Sequence, residues 1–304
     1  MKRFEHHSAY SIEEAAALLH DYQGKAKVNA GGTDLLGALK DEAVPEYPAA
    51  VINIKTIAGL DYIRSDGNGL TIGALARLAD IVKSPIVNEG YGLLVQAAHS
   101  VGTPHIRNMA TIGGNLAQDV RCWFYRYPRH IGGPMVCLRK GGKFCSALAG
   151  DNRYHSIFGA ASLTDSLPYS HKIRKGCFAV GPSDIAVALV ALDADILTTK
   201  RTVPAQSFFR ITATSTTVME ADELIKEIRI PQPQAGARRR YDKFTLRKPV
   251  DFAVVSVASI LTMDDGVCRD ARIVLGAVAP EPVRCANAEE VLKGRIINGD
   301  IAAE

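Results

Sequence analysis

The chain has 304 residues, of which 47% are hydrophobic and 22% are charged, and its formal net charge is +4. A chain of this length and apolar content can bury more than one core, so we expect a soluble globular protein of two or three domains. The small net charge gives no electrostatic case for nucleic acid or an anionic membrane surface, and no apolar run approaches the roughly 20 residues needed to span a bilayer.

The N-terminal part of the sequence predicts a small α/β unit. Its first residues lack the apolar core of a signal peptide, so a cytoplasmic location is expected. Ser11-Ile12-Glu13-Glu14 is a helix capping box, and Lys27-Val28-Asn29-Ala30 indicates a strand that leads into a glycine turn and a helix. Val51-Ile52-Asn53-Ile54 predicts the strand that completes the unit.

A hairpin and helices come next, followed by one long irregular stretch. Turn residues at 66–69 separate two short apolar runs, and helical periodicity resumes from Leu78 and from Leu93. Residues 119–176 show no sustained period, and a loop of that length inside a compact domain is usually functional or disordered. The elements expected after it are a helix over 185–192, strands over 194–199 and 223–230, a basic connector over 231–240, strands over 252–261 and 271–278, and a helix over 288–292.

Two glycine turns resemble each other: Ala30-Gly31-Gly32-Thr33-Asp34-Leu35 and Ala110-Thr111-Ile112-Gly113-Gly114-Asn115-Leu116. Glycine can take positive φ and lacks a Cβ, so successive backbone N–H groups in such a turn can converge on a phosphate. One such turn alone is more simply a structural helix start, but a pair suggests the two halves of a dinucleotide site. Neither turn is a Rossmann fingerprint or a Walker loop, so another nucleotide-binding fold is required.

Cys122, Cys137, Cys145 and Cys177 have the spacing C-x14-C-x7-C-x31-C. Six cysteines are too few for a disulfide scaffold in so long a chain, and a clustered subset more often binds metal or does redox work. We interpret the remaining two, which stand apart, as ordinary thiols: Cys268 and Cys285.

A [4Fe-4S] cluster takes four thiolates and is favoured by nearby cations and N–H donors. The basic residues that fit this need are Arg121, Arg126, Arg129, Arg139, Lys140 and Lys143. The aromatic residues that could shield the site from water are Trp123, Phe124, Tyr125 and Phe144. Zinc is the competing assignment, but structural zinc sites usually use C-x2–4-C pairs and this sequence has none. Unliganded thiols are a third possibility.

Together these residues resemble the flavoprotein (medium) subunit of the xanthine dehydrogenase and carbon monoxide dehydrogenase family of molybdenum hydroxylases. The resemblance covers nearly the whole chain, through both glycine turns, Ile72-Gly73-Ala74, His105-Ile106-Arg107-Asn108, Pro182-Ser183-Asp184, Lys243, and Arg247-Lys248 before Asp251-Phe252-Ala253. It implies an α+β fold with a two-part FAD-binding domain of the vanillyl-alcohol-oxidase type over 1–230, divided into 1–56 and 57–230 and carrying an insert over 119–177. A C-terminal domain of the CO dehydrogenase flavoprotein type follows over 231–304.

The resemblance also implies a set of FAD contacts and no catalytic residue in this chain. The implied contacts are Lys27, Val28, Asn29, Ala30, Gly31, Gly32, Thr33, Asp34, Leu35, Thr111, Gly114, Asn115, Asp184 and Lys243. Asp184 matches the acidic FAD contact of the family, and Lys243 matches its basic residue near the flavin ring. Without the resemblance, Asp184 is equally well a helix N-cap before Ile185, and Lys243 is an exposed strand residue. Covalent flavin is not expected, because neither turn contains histidine.

The cysteines resemble those of a subgroup with an extra [4Fe-4S] cluster, as in 4-hydroxybenzoyl-CoA reductases and certain bacterial aldehyde and purine oxidoreductases. This implies that Cys122, Cys137, Cys145 and Cys177 are the metal ligands. The long gap before Cys177 leaves His155 as a possible substitute.

By the same resemblance the chain is an electron-transfer subunit. Its partners would be a molybdenum-cofactor large subunit and a [2Fe-2S] small subunit, in a heterotrimer or a dimer of heterotrimers, together with a soluble electron acceptor. Substrate hydroxylation would take place in the molybdenum subunit. Two alternatives are a stand-alone flavin reductase or oxidase and a zinc-stabilised binding module without flavin.

Overall fold

The computed structural model describes residues 1–133, 135–160, 176–247, 250–299 and 301. Within this part of the chain the strands form three sheets, of three, five and four strands. Helices pack against all three sheets, in agreement with the predicted α+β class. Among the residues described, no helix has both the length and the apolarity needed to cross a bilayer.

A parallel three-stranded sheet carries the N-terminal part of the chain. The elements are β1 (Glu5–Ser8), α1 (Ile12–Asp21), β2 (Ala26–Asn29), α2 (Thr33–Lys40) and β3 (Ala50–Asn53). The strand order is β1-β3-β2, which confirms the predicted α/β unit. The helix start is confirmed as well, because Ser11 Oγ accepts a hydrogen bond from the backbone N–H of Glu14 (3.0 Å).

The second sheet begins with the predicted hairpin, and a series of short helices follows it. These elements are β4 (Ile63–Asp66), β5 (Gly69–Gly73), α3 (Leu78–Lys83), α4 (Pro85–Gly90), α5 (Gly92–Ser100), α6 (Pro104–Met109) and α7 (Ile112–Leu116). Asp66 pairs with Gly69 across the turn, so the two strands are antiparallel and closely connected.

The described part of residues 119–177, which we name the cysteine insert, forms a connection with little regular structure, as predicted. The described part contains helix α8 (Trp123–Arg126) and three 3-10 turns, at Arg129–Ile131, Leu138–Lys140 and Ser146–Leu148. Residues 134 and 161–175 lie outside the described residues. The buried apolar cluster beneath the insert is small and consists of Val120, Tyr125, Cys177, Ala179 and Ile211.

The chain then returns to the second sheet. The elements are α9 (Asp184–Ala191), β6 (Asp195–Thr198), β7 (Thr202–Pro204), α10 (Ala205–Phe208) and β8 (Ile225–Pro231). They complete the strand order β4-β5-β8-β6-β7. Every residue of α9 is buried, and the helix packs against α5 and α7.

An antiparallel four-stranded sheet and one helix form the C-terminal part. The elements are β9 (Ala237–Phe244), β10 (Val255–Asp264), β11 (Val267–Gly276), β12 (Val283–Arg284) and α11 (Ala286–Leu292), with strand order β12-β11-β10-β9. Helix α9 also packs on β10 and β11, so the second and third sheets share one continuous apolar core.

The predicted connector over 231–240 is wrong at its C-terminal end, because β9 already begins at Ala237. Arg238 and Arg240 lie at exposed positions of this strand, whereas Tyr241 is buried. An edge strand that presents charged side chains to solvent has the composition of a polar linker, although its backbone is paired with β10.

Candidate functional site

The first glycine turn links β2 to α2 and requires glycine at both central positions. Gly32 has φ +79°, in the left-handed region, and serves as the N-cap of α2. A Cβ on Gly31 would overlap the carbonyl oxygen of Met109 and would lie 3.0 Å from Ala110 Cα. The absence of a side chain therefore allows this turn to approach the backbone that precedes the second turn.

The second glycine turn begins α7 and is held in place by two hydrogen bonds. Thr111 is the N-cap of α7, and its hydroxyl oxygen accepts a hydrogen bond from the backbone N–H of Gly114 (3.1 Å). The N–H of Gly113 donates to the carbonyl of Ala74 (2.9 Å). A Cβ on Gly114 would lie 3.8 Å from Ala30 Cβ, so the two turns are neighbours in space.

We name residues 27–35 and 111–115 the nucleotide cradle. Two buried polar atoms beside it have no hydrogen-bond partner in the described part of the chain: Asn29 Oδ1 and Arg121 Nε. Arg121 belongs to this edge because its guanidinium contacts Asp34 (2.9 Å). An unpaired buried donor or acceptor costs about 1–3 kcal/mol, so both atoms are suited to a polar ligand. The glycine-lined backbone and the Arg121 Nε–H donor fit a nucleotide diphosphate, whereas the acceptor Asn29 Oδ1 fits a hydroxyl or amino group of the nucleotide.

Ser183, rather than Asp184, caps helix α9. Ser183 Oγ accepts a hydrogen bond from the N–H of Ala186 (3.0 Å) and donates one to Asn115 Oδ1 (2.6 Å). The interpretation of Asp184 as the N-cap is therefore wrong, since Asp184 is the first helical residue. The Ser183–Asn115 contact joins the start of α9 to the second glycine turn.

Asp184 and Lys243 form a buried ion pair with each other. Lys243 Nζ lies 2.7 Å from Asp184 Oδ2, and the two side chains are 8% and 6% exposed. Tyr241 donates a hydrogen bond to Asp184 Oδ1 (2.6 Å), and Lys243 donates to the carbonyl of Ser100 (3.1 Å). Burial raises the pKa of Asp184, and Lys243 opposes this effect. Lys243 is thus not an exposed strand residue; Lys248, from the same motif, lies outside the described residues.

The four predicted ligands Cys122, Cys137, Cys145 and Cys177 line one cavity, and all are free thiols. The structure therefore brings Cys177 to the other three despite its separation in sequence. Within the described ranges, no three His, Cys, Asp or Glu side chains are arranged so that they could hold one metal ion. The thiols thus share the lining of one cavity, but among the described residues they are not grouped as ligands of a single ion.

Backbone N–H groups and burial act in opposite directions on these thiols. Cys122, Cys137 and Cys145 each occupy the N-cap of a short helical turn, where N–H groups of following residues are oriented toward the cap. Burial raises the pKa of Cys122 to about 11 and that of Cys177 to about 12, although backbone N–H donors oppose the rise. These two thiols are protonated at neutral pH, so binding of a metal must release protons.

His155 lies beside the cysteines. Its Nε2 is 3.2 Å from Cys122 Sγ, and its ring lines the same cavity as Cys177. Burial lowers the pKa of His155, so the imidazole is neutral near pH 7. Its Nδ1 is buried without a hydrogen-bond partner among the described residues. The structure therefore leaves both His155 and Cys177 within the set of candidate ligands.

The aromatic residues predicted to shield the cavity divide into two groups. Phe124 and Tyr125 are buried and line it. Phe144 is 53% exposed and does not line the cavity, so the prediction is wrong for this residue. Trp123 is 36% exposed and does not line the cavity itself, but its ring packs against the cavity residue His155, with ring centroids 5.5 Å apart.

Three of the basic residues predicted to favour thiolates are paired with carboxylates. Arg121 and Arg126 contact Asp34 at 2.9 and 2.7 Å, and Arg139 contacts Asp119 at 2.6 Å. Asp34, one of the predicted FAD contacts, thus directs its carboxylate toward the cysteine insert. Sequence reasoning missed Asp119, because its Arg139 partner lies 20 positions away and no local pattern marks the pair.

Comparison with known proteins assigns the chain to a family. Residues 2–233 match the FAD binding domain in molybdopterin dehydrogenase, and residues 239–304 match the CO dehydrogenase flavoprotein C-terminal domain. The chain belongs to this family of FAD-binding dehydrogenase subunits. The predicted family and the predicted oxidoreductase class are thereby confirmed, whereas the predicted domain boundaries and FAD contacts remain predictions.

Relatives match over nearly the entire chain. The aldehyde oxidoreductase FAD-binding subunit PaoB of Escherichia coli is 33% identical over 96% of this chain and 86% of its own length. The nicotinate dehydrogenase FAD-subunit of Eubacterium barkeri is 29% identical, over 97% of this chain and 81% of its own.

Solved structures confirm the fold of the family. A carbon monoxide dehydrogenase chain from Hydrogenophaga pseudoflava superposes with a TM-score of 0.71 and 28% identity, covering 99% of this chain and 83% of its own. Reconstituted CO dehydrogenase from Oligotropha carboxidovorans gives a TM-score of 0.74 at 24% identity, with 99% and 84% covered, which shows a shared fold.

Proposed function

We propose that this chain is the FAD-binding electron-transfer subunit of a molybdenum hydroxylase complex and that it also carries a [4Fe-4S] cluster. The observation that carries the proposal is a pair of preformed sites, the nucleotide cradle and the four-thiol cavity, connected through Asp34. FAD, when bound, supplies the reversible electron uptake and release that the amino acids lack.

The cradle residues are proposed to hold the flavin nucleotide. Residues 27–35 would surround the diphosphate, with Thr111, Gly114 and Asn115 on the opposite side. The unpartnered Arg121 Nε supports this assignment, because it is a donor that phosphate oxygens can accept from, while the acceptor Asn29 Oδ1 would take a hydrogen bond from a hydroxyl or amino group of the nucleotide. Lys243, held by Asp184, is the cation proposed near the flavin ring, where positive charge favours the reduced, anionic form.

The cysteine cavity is proposed to hold the cluster through Cys122, Cys137, Cys145 and Cys177, with His155 as the alternative to Cys177. Backbone N–H groups beside the sulfurs favour thiolates, as a [4Fe-4S] cluster requires. A single zinc ion needs its thiolates about 2.3 Å from one point. The choice of a cluster over zinc rests on the sequence, in which the four cysteines include no C-x2–4-C pair.

The names of the relatives support partner subunits. Relatives in this family are named as FAD-subunits or medium chains, which indicates larger complexes. We propose a molybdenum-cofactor large subunit and a [2Fe-2S] small subunit as partners, in a heterotrimer or a dimer of heterotrimers. Electrons would pass between the [2Fe-2S] subunit and a soluble acceptor by way of this chain, and substrate hydroxylation would occur in the large subunit.

Cofactor content tests the proposal. The full chain is purified without oxygen, and iron, acid-labile sulfide, zinc and FAD are quantified per chain. We expect about four irons, about four sulfides and about one FAD. Stoichiometric zinc without sulfide would reject the cluster, and a flavin-free chain that binds no added FAD would reject the whole proposal. Purification together with a molybdenum-containing subunit distinguishes the complex from a stand-alone flavin reductase.

A further inference from the structure

Four charged side chains join the nucleotide cradle to the cysteine cavity. Asp34 accepts hydrogen bonds from Arg126 Nη2 (2.7 Å) and from the backbone N–H of Asp119 (2.8 Å). Asp119 accepts a hydrogen bond from Arg139 Nη1 (2.6 Å), and Arg139 lines the cavity. We name Asp34, Asp119, Arg126 and Arg139 the carboxylate–arginine bridge.

The two arginines of the bridge are largely withdrawn from water, and its two carboxylates are partly buried. The side chain of Arg139 is 1% exposed, and that of Arg126 is 14% exposed. Arg139 also donates to the carbonyl of Thr212 (2.7 Å), and Tyr125 donates to Asp119 Oδ2 (2.5 Å). A buried network with its donors and acceptors paired favours one arrangement, so a shift at one end disturbs hydrogen bonds at the other.

Positive charge exceeds negative charge along the bridge. Arg121 pairs with Asp34, and Lys27 in the cradle interacts electrostatically with both Asp119 and Arg139. The buried and half-buried groups of this region thus include four cations and two carboxylates. The cations are Lys27, Arg121, Arg126 and Arg139, and the carboxylates are those of Asp34 and Asp119. Because these cations outnumber their carboxylates, an anion beside them would be stabilised, and a diphosphate in the cradle is such an anion.

We propose that the carboxylate–arginine bridge couples the two sites, so that FAD bound in the cradle orders the cysteine cavity and a ligand bound among the cysteines orders the cradle. This inference rests on the proposed function, because it takes FAD as the ligand of the cradle. Asp119 and Arg126 are then positioning residues for both sites. The coupling is reciprocal, since each ligand must change the affinity for the other by the same factor.

Labelling of individual cysteines in the full chain tests the coupling. Iron is removed with a chelator, FAD is added or withheld, and labelling by N-ethylmaleimide is followed at each cysteine by mass spectrometry. We expect FAD to slow labelling of Cys177, which lines the cavity together with Arg139, by about five-fold or more, because an ordered cavity opens to the reagent less often. Cys268 and Cys285, in the C-terminal sheet region, are internal controls whose labelling rates should not change.

Variants of the bridge assign the effect to specific contacts. Asp119→Asn removes the charge between the two arginines and should abolish protection by FAD. Glu289→Gln is the matched control, because it neutralises a buried carboxylate of α11 that forms an ion pair with Arg284 of β12. If Asp119→Asn fails to fold, Arg126→Lys serves in its place: it retains the charge, loses the planar guanidinium and should retain only part of the protection.

Each outcome supports or rejects the coupling. Unchanged labelling in the unmodified chain, with FAD bound, would overturn it. If FAD still fully protected the cysteines from labelling in the folded bridge variants, the bridge would be rejected as the route of coupling. A chain that binds FAD only while iron is present would support coupling in its strongest form. A chain that binds no FAD with or without iron would reject the proposed function and the bridge together.

Discussion

The nucleotide cradle and the cysteine insert are stabilised in different ways. The first turn of the cradle links a strand to a helix, the second begins a helix, and both lie beside large apolar clusters. The described part of the insert contains one four-residue helix and three 3-10 turns, above a cluster of five buried residues. Apolar burial can therefore maintain the cradle without a ligand, whereas the insert depends on polar contacts and on whatever its thiols bind.

This difference shows why one protein can contain both a rigid and a conditional site. The second glycine turn is fixed by backbone hydrogen bonds to neighbouring segments, such as that from Gly113 to Ala74 (2.9 Å). The insert instead uses long-range ion pairs, including Arg126 with Asp34, to fix an irregular backbone. Substitutions in the insert should therefore act mainly by changing how much metal the chain binds. Substitutions in the cradle should act mainly on nucleotide binding.

The largest effect is expected from Cys137→Ala. This substitution removes one of four proposed ligands, so the chain should lose most of its iron while its far-UV circular dichroism changes little. Cys285→Ala, which removes a cysteine outside the cavity, is the matched control and should retain about four irons. Iron and sulfide analysis of both variants is the measurement. Equal iron in the two would contradict the ligand assignment and the dependence of the insert on metal.

A smaller effect is expected on the pH dependence of stability, through a buried carboxyl group beside the apolar cluster of the insert. Glu281 is buried, its Oε1 accepts a hydrogen bond from the N–H of Ile211 (3.4 Å), and Oε2 has no partner among the described atoms. Burial raises the pKa of Glu281 to about 8. A raised pKa contributes stability that is fully present below the unfolded value, about 4.5, and is lost as pH rises through about 8.

Glu281→Gln should therefore flatten the pH profile of thermal unfolding and stabilise the chain by up to about 4 kcal/mol at pH 8. Thermal unfolding between pH 5 and pH 8.5 provides the measurement. Glu13→Gln, at an exposed position of α1, is the control and should leave the profile unchanged. A Glu281→Gln profile as steep as that of the parent would reject this group as the source of the pH dependence.

The smallest effect is expected within the cradle. Gly31→Ala introduces a Cβ against the carbonyl of Met109, and overpacking of this kind costs about 1–3 kcal/mol and should weaken FAD binding. In Gly37→Ala, the matched helical control, the new Cβ meets no described atom within 4 Å and should stabilise α2 by about 0.5–1 kcal/mol. Melting temperatures with and without FAD compare the variants. Parent-like FAD stabilisation in Gly31→Ala would show that the close approach of the turns is dispensable.

Elements with a strong local pattern were predictable from the sequence, and others were not. The capping box at Ser11, the hairpin turn at 66–69 and the apolar run of α9 are specified by neighbouring residues, and all three are confirmed. Strand β1 was not predicted, because its polar residues become a strand only by pairing with β3. Strand β9 was predicted as a connector because its charges conceal its pairing with β10.

By itself, the sequence determined which residue types each site contains: glycine where a Cβ cannot fit, as at Gly31, and thiols in a spaced set. The residue type that suits each of these positions depends on the chemistry of single residues. Only the tertiary structure decided that Arg126 contacts Asp34, 92 positions away, and that Asp184 forms an ion pair with Lys243. It also decided that Cys177 joins the other thiols. Such pairings follow from how the sheets and the insert pack, and sequence spacing carries no record of which distant groups that packing brings together.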